Sequence, residues 1–402
     1  MGMATRWAQR LRAERGYGPV PMVQPERCLR RHTSPTPCLA CATACPVSAV
    51  ELGPTAATLG EGCIGCEACV TACPTGALVP PPEIASQRRE RLDAAAGVAR
   101  FTCVRQPGQK AATATLGCLA GLPLTTLLVP LARPTCRVEV ERGGCAGCDL
   151  AATGARFDAT LEQARALLAA FHLEPARIRE VERFPREVAA QGEVVGRREL
   201  FMRLRASASR TAATLREEAG SEAEAAVSAA EPQLAAVLRG LGTPAAGAVL
   251  PGGLHAGTVS ARDTCFGCNV CETLCPTAAL RREVEGAATH LLFTPARCTG
   301  CGACAEACLA SALTVTRATG DGAPLLLSEA YLGGEAVELV EVAPRPCARC
   351  GTPFTGLPGE LCDTCLTTGH GAGRLRGLPS AGGPSLFVPP HSTPPLRESR
   401  LN

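Results

Sequence analysis

Cysteine spacing constrains this chain more than any other property. Two runs with the same spacing, C-x2-C-x2-C-x3-C, fall within residues 265–308, and they consist of Cys265, Cys268, Cys271, Cys275, Cys298, Cys301, Cys304 and Cys308. Thiolates so close in sequence converge on one inorganic centre only where the backbone coils around it, which glycine permits through positive φ. Gly267, Gly300 and Gly302 stand between the cysteines, and Pro276 after the first run helps to steer the chain away from it.

This spacing is typical of [4Fe–4S] ligands, where the fourth cysteine of each run binds the other cluster. Residues 265–308 resemble a bacterial-type two-cluster ferredoxin domain. The resemblance implies one cluster on Cys265, Cys268, Cys271 and Cys308, and a second on Cys298, Cys301, Cys304 and Cys275. Leu309 departs from the family, in which proline usually follows the last cysteine. A zinc site or a disulfide framework is the alternative use of these thiols.

A second pair of runs resembles the same domain. The later run has the expected spacing and is followed by Pro74: Cys63, Cys66, Cys69 and Cys73. In the earlier run, nine residues separate the first two cysteines where two are usual: Cys28, Cys38, Cys41 and Cys45. The resemblance implies one cluster on Cys28, Cys38, Cys41 and Cys73, and another on Cys63, Cys66, Cys69 and Cys45. His32, inside the enlarged loop, is either a substitute for Cys28 or a solvated histidine.

Between the two pairs, strand and helix patterns alternate, which predicts a small α/β unit with a parallel sheet. We expect four strands: one at 100–104, one that ends near 116, one at 136–141 and one at 178–181. We also expect a helix at 84–99, an apolar helix that ends at 131 and a helix at about 160–171. Ligands of such sheets bind beyond the carboxyl ends of the strands. Cysteines stand at the ends of these strands, where such ligands bind.

The L-G-C turn at 116–118, the leucine-rich helix after it and the strand ending in the loop GGCAGC are similar to an iron–sulfur domain found beside heterodisulfide reductases and certain hydrogenases. The resemblance implies a [2Fe–2S] cluster on Cys103, Cys118, Cys145 and Cys148, with Cys136 spare. The alternatives are a zinc site, a reactive C-x-x-C dithiol, or simple burial of Cys103 and Cys136.

Near the C-terminus, two C-x2-C knuckles separated by eleven residues resemble a zinc ribbon: Cys347, Cys350, Cys362 and Cys365. Four thiolates in two tight turns form a closed tetrahedral structural site. We predict zinc here, with a single rubredoxin-like iron as the alternative.

We predict an α+β chain with two ferredoxin-like modules, a central α/β domain, a helical connector and a C-terminal ribbon. The expected segments are a lead-in (1–27), the first module (28–82), a linker helix and the α/β domain (83–190), a solvated helical connector with a Gly/Pro linker (191–260), the second module (261–320), a loop region with the four-cysteine motif (321–366) and a disordered tail (367–402).

Twenty-five clustered cysteines without a signal peptide favour metal ligation in the cytoplasm over disulfides. The most apolar run, 116–132, is interrupted by Pro123 and Pro130 and is too short to cross a membrane, so we expect no membrane insertion. A formal charge of +3, before any thiolate is counted, gives no case for nucleic-acid binding.

Chains of clusters transfer single electrons, and the sequence contains no nucleotide-binding glycine motif or catalytic triad pattern. We therefore predict a polyferredoxin-like subunit that relays electrons between a catalytic oxidoreductase and a soluble carrier. By analogy, the oxidoreductase is a molybdenum- or tungsten-pterin enzyme, a hydrogenase or a heterodisulfide-reductase-like enzyme. One alternative is an iron–sulfur oxidoreductase whose central domain reduces a disulfide or sulfur substrate. The other is a cysteine-rich scaffold that binds its partner through the C-terminal motif.

Overall fold

The structure is a computed structural model that describes residues 16–32, 38–95, 97–184, 234–286, 288–318, 324–356 and 361–367. Within these ranges the chain is a mixed α/β protein of several small sheets. None of the helices in the described ranges combines the length and the apolarity that a membrane crossing needs.

The first module (residues 16–81) consists of short elements between its cysteines. They are β1 (Met22–Val23), α1 (Leu29–His32), α2 (Ala40–Thr43), β2 (Val50–Leu52), β3 (Ala57–Leu59), α3 (Ala68–Ala72) and β4 (Leu78–Val79). β2 and β3 form an antiparallel hairpin, while β1 pairs with β4 and so joins the two ends of the module. Cysteines are part of its small buried core, which comprises Cys41, Ala57, Cys69, Val70 and Leu78.

The central domain (residues 82–184) has the predicted parallel sheet. Its elements are α4 (Pro82–Ala94), β5 (Val98–Cys103), β6 (Ala114–Leu116), α5 (Leu124–Leu128), β7 (Arg137–Glu141), α6 (Gly154–Ala170) and β8 (Ile178–Val181). The strand order is β6-β5-β7-β8, and all neighbours are parallel. The crossovers from β5 and from β6 lead to opposite sides of β5, so the carboxyl ends of β5 and β7 flank a topological switch point.

Three predicted helices of this domain differ in the structure. The helix expected over 84–99 ends at Ala94, and Val98 and Ala99 belong to β5. The apolar helix expected up to Leu131 is divided into α5 and a 3-10 turn at Val129–Ala132, because Pro130 has no N–H to continue the α-helical pattern. α6 begins at Gly154, six residues before the predicted start at Thr160.

The second module (residues 257–318) repeats the plan of the first with longer strands. Its elements are β9 (Gly257–Ala261), α8 (Val270–Leu274), β10 (Leu280–Glu285), β11 (Ala288–Phe293), α9 (Ala303–Glu306) and β12 (Leu313–Arg317); α7 (Leu234–Leu241) precedes it. β9 and β12 join the two ends of the module, and β10 and β11 form its internal hairpin. After α10 (Glu329–Gly333), β13 (Val337–Val342) adds a third strand beside β11.

Residues 234–256 differ from the solvated connector that the sequence predicted. Apolar residues recur at helical spacing in α7, and the buried ones pack into the core of the central domain: Ala235, Val237, Leu238 and Leu241. Leu250 and Leu254 of the expected Gly/Pro linker join the same core. The rest of the predicted connector, residues 1–15 of the predicted lead-in and nearly all of the predicted tail lie outside the described residues.

Candidate metal centres

In the second module, the eight cysteines form two sets. Burial raises the pKa of the Cys271 thiol to about 12, and the neighbouring thiols that contribute are Cys268, Cys265 and Cys308. Burial likewise raises the pKa of Cys304 to about 12, with contributions from Cys298, Cys301, Cys275 and, least of all, Cys271. The structure therefore brings together the two sets that the ferredoxin resemblance implied, and the sets adjoin at Cys271 and Cys304.

The first module groups its eight cysteines in the same way. Burial raises the pKa of Cys41 to about 11, and the contributing thiols are Cys73, Cys38 and Cys28. Burial also raises the pKa of Cys69, and the contributing thiols are Cys66, Cys63, Cys41 and Cys45. Cys28 thus lies near the rest of its set. His32 instead lies with its Nε2 2.7 Å from the carbonyl oxygen of Glu26.

Four thiols that oppose one another's ionisation are stable as thiolates only beside compensating positive charge, which an iron–sulfur cluster supplies. Their spacing also fits a cluster better than one ion, because zinc–sulfur bonds of about 2.3 Å hold the sulfurs about 4 Å apart. Among the described residues, the C-terminal cysteines are the one cysteine set in which three or more sulfurs lie within 4.8 Å of one another. The other group of possible metal ligands at this spacing is His290, Glu338 and Glu341, which contains no cysteine.

The fourth cysteine of each ferredoxin-type run is followed by the same turn. Its sulfur accepts a hydrogen bond from the backbone N–H four residues later, over 3.2, 3.1, 3.2 and 3.3 Å from Ala49, Ala77, Ala279 and Ala312. The residue before each alanine has positive φ, and these residues are Ser48, Gly76, Ala278 and Ser311. Leu309, in place of proline, does not alter the turn. Such N–H···S bonds stabilise negative charge on sulfur.

Two family models match these regions. A 4Fe-4S dicluster domain matches residues 264–312, and a 4Fe-4S binding domain matches residues 61–79. The chain carries ferredoxin-type 4Fe–4S domains. The run from Cys28 to Cys45, whose first two cysteines are separated by nine residues, lies outside both matches. Among curated proteins, none matches this chain.

Glu67 is a feature of the first ferredoxin-type module that the sequence did not reveal. It follows Cys66 with φ of 62°, at the position that Gly302 occupies in the second module with φ of 88°. The residue is only 1% exposed. Arg88 of α4 binds both carboxylate oxygens, with NH1 2.7 Å from Oε2 and NH2 2.6 Å from Oε1. Because Arg88 also donates to the carbonyl of Thr115 at 3.4 Å, the pair joins the module to the central sheet.

The predicted cysteines of the central domain converge on one cavity of about 620 Å³. It lies beyond the carboxyl ends of β5, β6 and β7 and is lined by Cys103, Cys118, Cys145 and Cys148. Burial raises the pKa of Cys103 to about 11, with contributions from the thiols of Cys118 and Cys145. Cys136, at the opposite end of β7, is 1% exposed and belongs to the core, apart from this cavity.

Hydrogen-bond donors surround two of these sulfurs. Gln106 Nε2 lies 3.8 Å from Cys145 Sγ, while Arg105 NH1 and the backbone N–H of Leu150 lie 3.7 and 3.5 Å from Cys148 Sγ. The cavity therefore stabilises sulfur that carries negative charge.

The central cavity adjoins the first ferredoxin-type module. Burial raises the pKa of Cys66 to about 11, and the thiol of Cys118 contributes more to this shift than those of Cys45 and Cys63. Glycine permits the approach: a Cβ on Gly117 would lie 1.7 Å from the carbonyl oxygen of Gly65. No side chain fits at this contact, so Cys66 and Cys118 are held as neighbours.

The C-terminal site is the compact one. The sulfurs of Cys347, Cys350, Cys362 and Cys365 all lie within 4.8 Å of one another. The first knuckle lies in the turn between β14 (Arg345–Pro346) and β15 (Pro353–Phe354), and α11 (Asp363–Thr367) begins directly after Cys362 and contains Cys365. Backbone N–H groups of Cys350 and Cys362 lower the pKa of Cys347 to about 6. The hairpin packs on the second module, where Thr355 hydrogen-bonds Thr289.

Proposed function

We propose that this chain is a cytoplasmic electron-transfer subunit of polyferredoxin type, which relays single electrons between a catalytic oxidoreductase and a soluble carrier. The observation that carries the proposal is the packing of Cys118 against the buried cluster that contains Cys66, beside the close approach of Gly117 to Gly65, because it makes the central cavity a neighbour of a ferredoxin-type site. Binding of 4Fe–4S clusters in two regions supports the same function.

The proposed cofactors follow the sulfur spacing. Four [4Fe–4S] clusters bind the four ferredoxin-type sets, a [2Fe–2S] cluster binds the central set, and zinc binds the compact C-terminal set. When bound, the clusters accept and release one electron each. The chain supplies the thiolates, the backbone N–H groups at the four repeated turns, and Gln106 and Arg105 beside the central sulfurs. Burial of these sites keeps water from the sulfurs and sets their potentials.

Anaerobic metal analysis tests this proposal. Four cubane clusters require about sixteen irons per chain, and a central [2Fe–2S] cluster adds about two. We expect this iron with matching sulfide and about one zinc, and a visible absorption that bleaches on reduction. Protein that contains mostly zinc, or whose electron paramagnetic resonance (EPR) spectrum shows no reduced cluster, would contradict the proposal.

One observation favours a second function. The central cavity is large enough for a small ligand beside its C-x-x-C pair, as an oxidoreductase acting on a disulfide or sulfur substrate would require. Cys145→Ser with Cys148→Ser separates the two functions. If turnover of such a substrate exists and is lost while about sixteen irons remain, the chain is an enzyme; if no turnover exists in the unsubstituted protein, relay is its function.

A further inference from the structure

A cleft of about 850 Å³ lies where the two ferredoxin-type modules meet the central domain. Thiols from three of the four ferredoxin-type sets reach its wall: Cys45, Cys73 and Cys298. The rest of the wall includes Thr75 and Thr277, whose hydroxyls lie 3.7 and 3.6 Å from the sulfurs of Cys73 and Cys275. A redox partner seated in this cleft would therefore be close to three electron-transfer sites at once.

The charge of the cleft has one sign. Arg27, Arg156 and Arg297 line it together with His255, and no aspartate or glutamate is among the described residues of its wall. Within the described ranges, no salt bridge joins any of the three arginines to a carboxylate. Their positive charge therefore faces the cleft and attracts anionic groups.

Two of these arginines are placed by the same local structure. The 3-10 turns Pro25–Arg27 and Pro295–Arg297 each end at a cysteine whose N–H bonds to the proline carbonyl at 3.1 Å. Each module thus presents an arginine immediately before a cluster ligand. Cys63 and Cys265, which open the other two runs, do not line the cleft, and acidic Glu61 and Asp263 stand two residues before them.

We propose that this cleft is the docking site of a soluble electron carrier whose surface is acidic around its own redox centre. The inference rests on the proposed relay function and adds where the carrier binds and that the binding surface of the carrier is negatively charged. Clusters ligated by four thiolates are negative and would repel such a carrier, and the arginines offset that repulsion. Complementary charge accelerates encounter by about 10- to 1000-fold at low salt. In the transfer, the reduced carrier loses one electron and a site on this chain gains it, with no bond made or broken.

The test is the rate at which a reduced plant-type [2Fe–2S] ferredoxin, an acidic carrier, reduces the iron-loaded chain. The cleft variant carries Arg27→Gln, Arg156→Gln and Arg297→Gln. The control variant carries Arg137→Gln, Arg165→Gln and Arg281→Gln, which remove the same charge at exposed side chains outside the cleft. At low salt we expect the second-order rate to fall at least about tenfold in the cleft variant and less than about twofold in the control.

At about 1 M salt, where screening acts within about 3 Å, the difference between the variants should disappear. Equal slowing of both variants, or no slowing of the cleft variant, would overturn the docking site. If ferredoxin fails to reduce even the unsubstituted chain, while reduced methyl viologen does, the relay function itself fails. Iron content and EPR spectra of each variant show whether its clusters are intact. If the triple variant loses iron, the comparison uses single variants: Arg297→Gln, at the exposed turn, must lower the rate of reduction by ferredoxin more than Arg281→Gln does.

Discussion

At the scale of single residues, the buried pair of Glu67 and Arg88 shows how the first module is fixed to the central domain. A neutral amide at position 67 keeps the shape but leaves the guanidinium without its counter-charge. Because removing one partner of a buried ion pair costs about 3–5 kcal/mol, Glu67→Gln should lower stability by that order. The midpoint of urea-induced loss of the visible absorption, measured anaerobically, reports it.

The control is Glu283→Gln, which breaks the exposed pair of Glu283 and Arg281 on β10. Exposed pairs contribute about 0–1 kcal/mol, so this variant should keep its urea midpoint. A similar shift in both variants would mean that the burial of Glu67 has no energetic consequence.

A second residue-scale prediction concerns the turns after the fourth cysteines. Gly76 and Ala278 occupy equivalent places with φ of 62° and 50°. Left-handed backbone costs an L-residue about 1–2 kcal/mol but costs glycine little. Gly76→Ala should therefore destabilise the chain by about 1 kcal/mol, while Ala278→Gly should stabilise it by less, since glycine also gains freedom on unfolding. Urea midpoints that move in the same direction would contradict this account.

At the scale of elements, the L-G-C turn after β6 is pressed against the first module. Ala at position 117 would overlap the carbonyl oxygen of Gly65, so the two backbones would have to separate. We expect Gly117→Ala to destabilise the chain by roughly 1–3 kcal/mol, as overpacking does. It should also weaken the magnetic interaction between the Cys66 site and the central site, which EPR of the reduced protein detects.

Gly147→Ala is the matched control, because Gly147 lies in the wall of the same cavity and a Cβ there meets nothing within 4 Å. It should change stability by no more than about 0.5 kcal/mol. If both variants kept an unchanged EPR interaction, the contact between turn and module would have no role in relaying electrons.

The elements also show what the sequence could predict. The parallel sheet followed from local alternation, because β5 to β8 each carry their own pattern, and ligands at adjacent strand ends follow from that topology. The fit of Gly117 against Gly65 has no local signal, since it depends on two segments far apart in the chain. The helical pattern within residues 234–256 was visible in the sequence. The burial of this segment was not, because it depends on the core of the central domain, which is formed by residues far away in the chain.

At the scale of the whole molecule, the cysteine sets are nearly independent units that touch at defined points. The ferredoxin resemblance predicted which thiols group together in the two modules, because each run is short and exchanges its fourth cysteine with its partner run. Glu67 and the repeated turns could not be assigned, since the sequence contains no rule that places a glutamate or an alanine at positive φ. Cys136 remains apart from every set that the structure describes, so Cys136→Ala is a suitable reference in which a cysteine is lost without loss of metal.

The C-terminal site tests that independence. In protein kept anaerobic, Cys362→Ser should remove about one zinc and no iron, whereas Cys136→Ala should change neither. A hydrogen bond with Cys350 raises the pKa of Cys365 to about 12, while backbone N–H groups lower that of Cys347 to about 6. Zinc binding therefore displaces the Cys365 proton at any physiological pH, and protonation of Cys347 adds to the competition as the pH falls below about 6.

Zinc occupancy, followed with a colorimetric chelator, should accordingly fall as the pH is lowered through about 6 and recover as it is raised. Because the hairpin packs on the second module through Thr355 and Thr289, beside Gly267 of the Cys265 run, loss of zinc should speed the loss of iron from that module in air. Iron loss at the same rate in Cys362→Ser and Cys136→Ala would show that the C-terminal site protects nothing beyond itself.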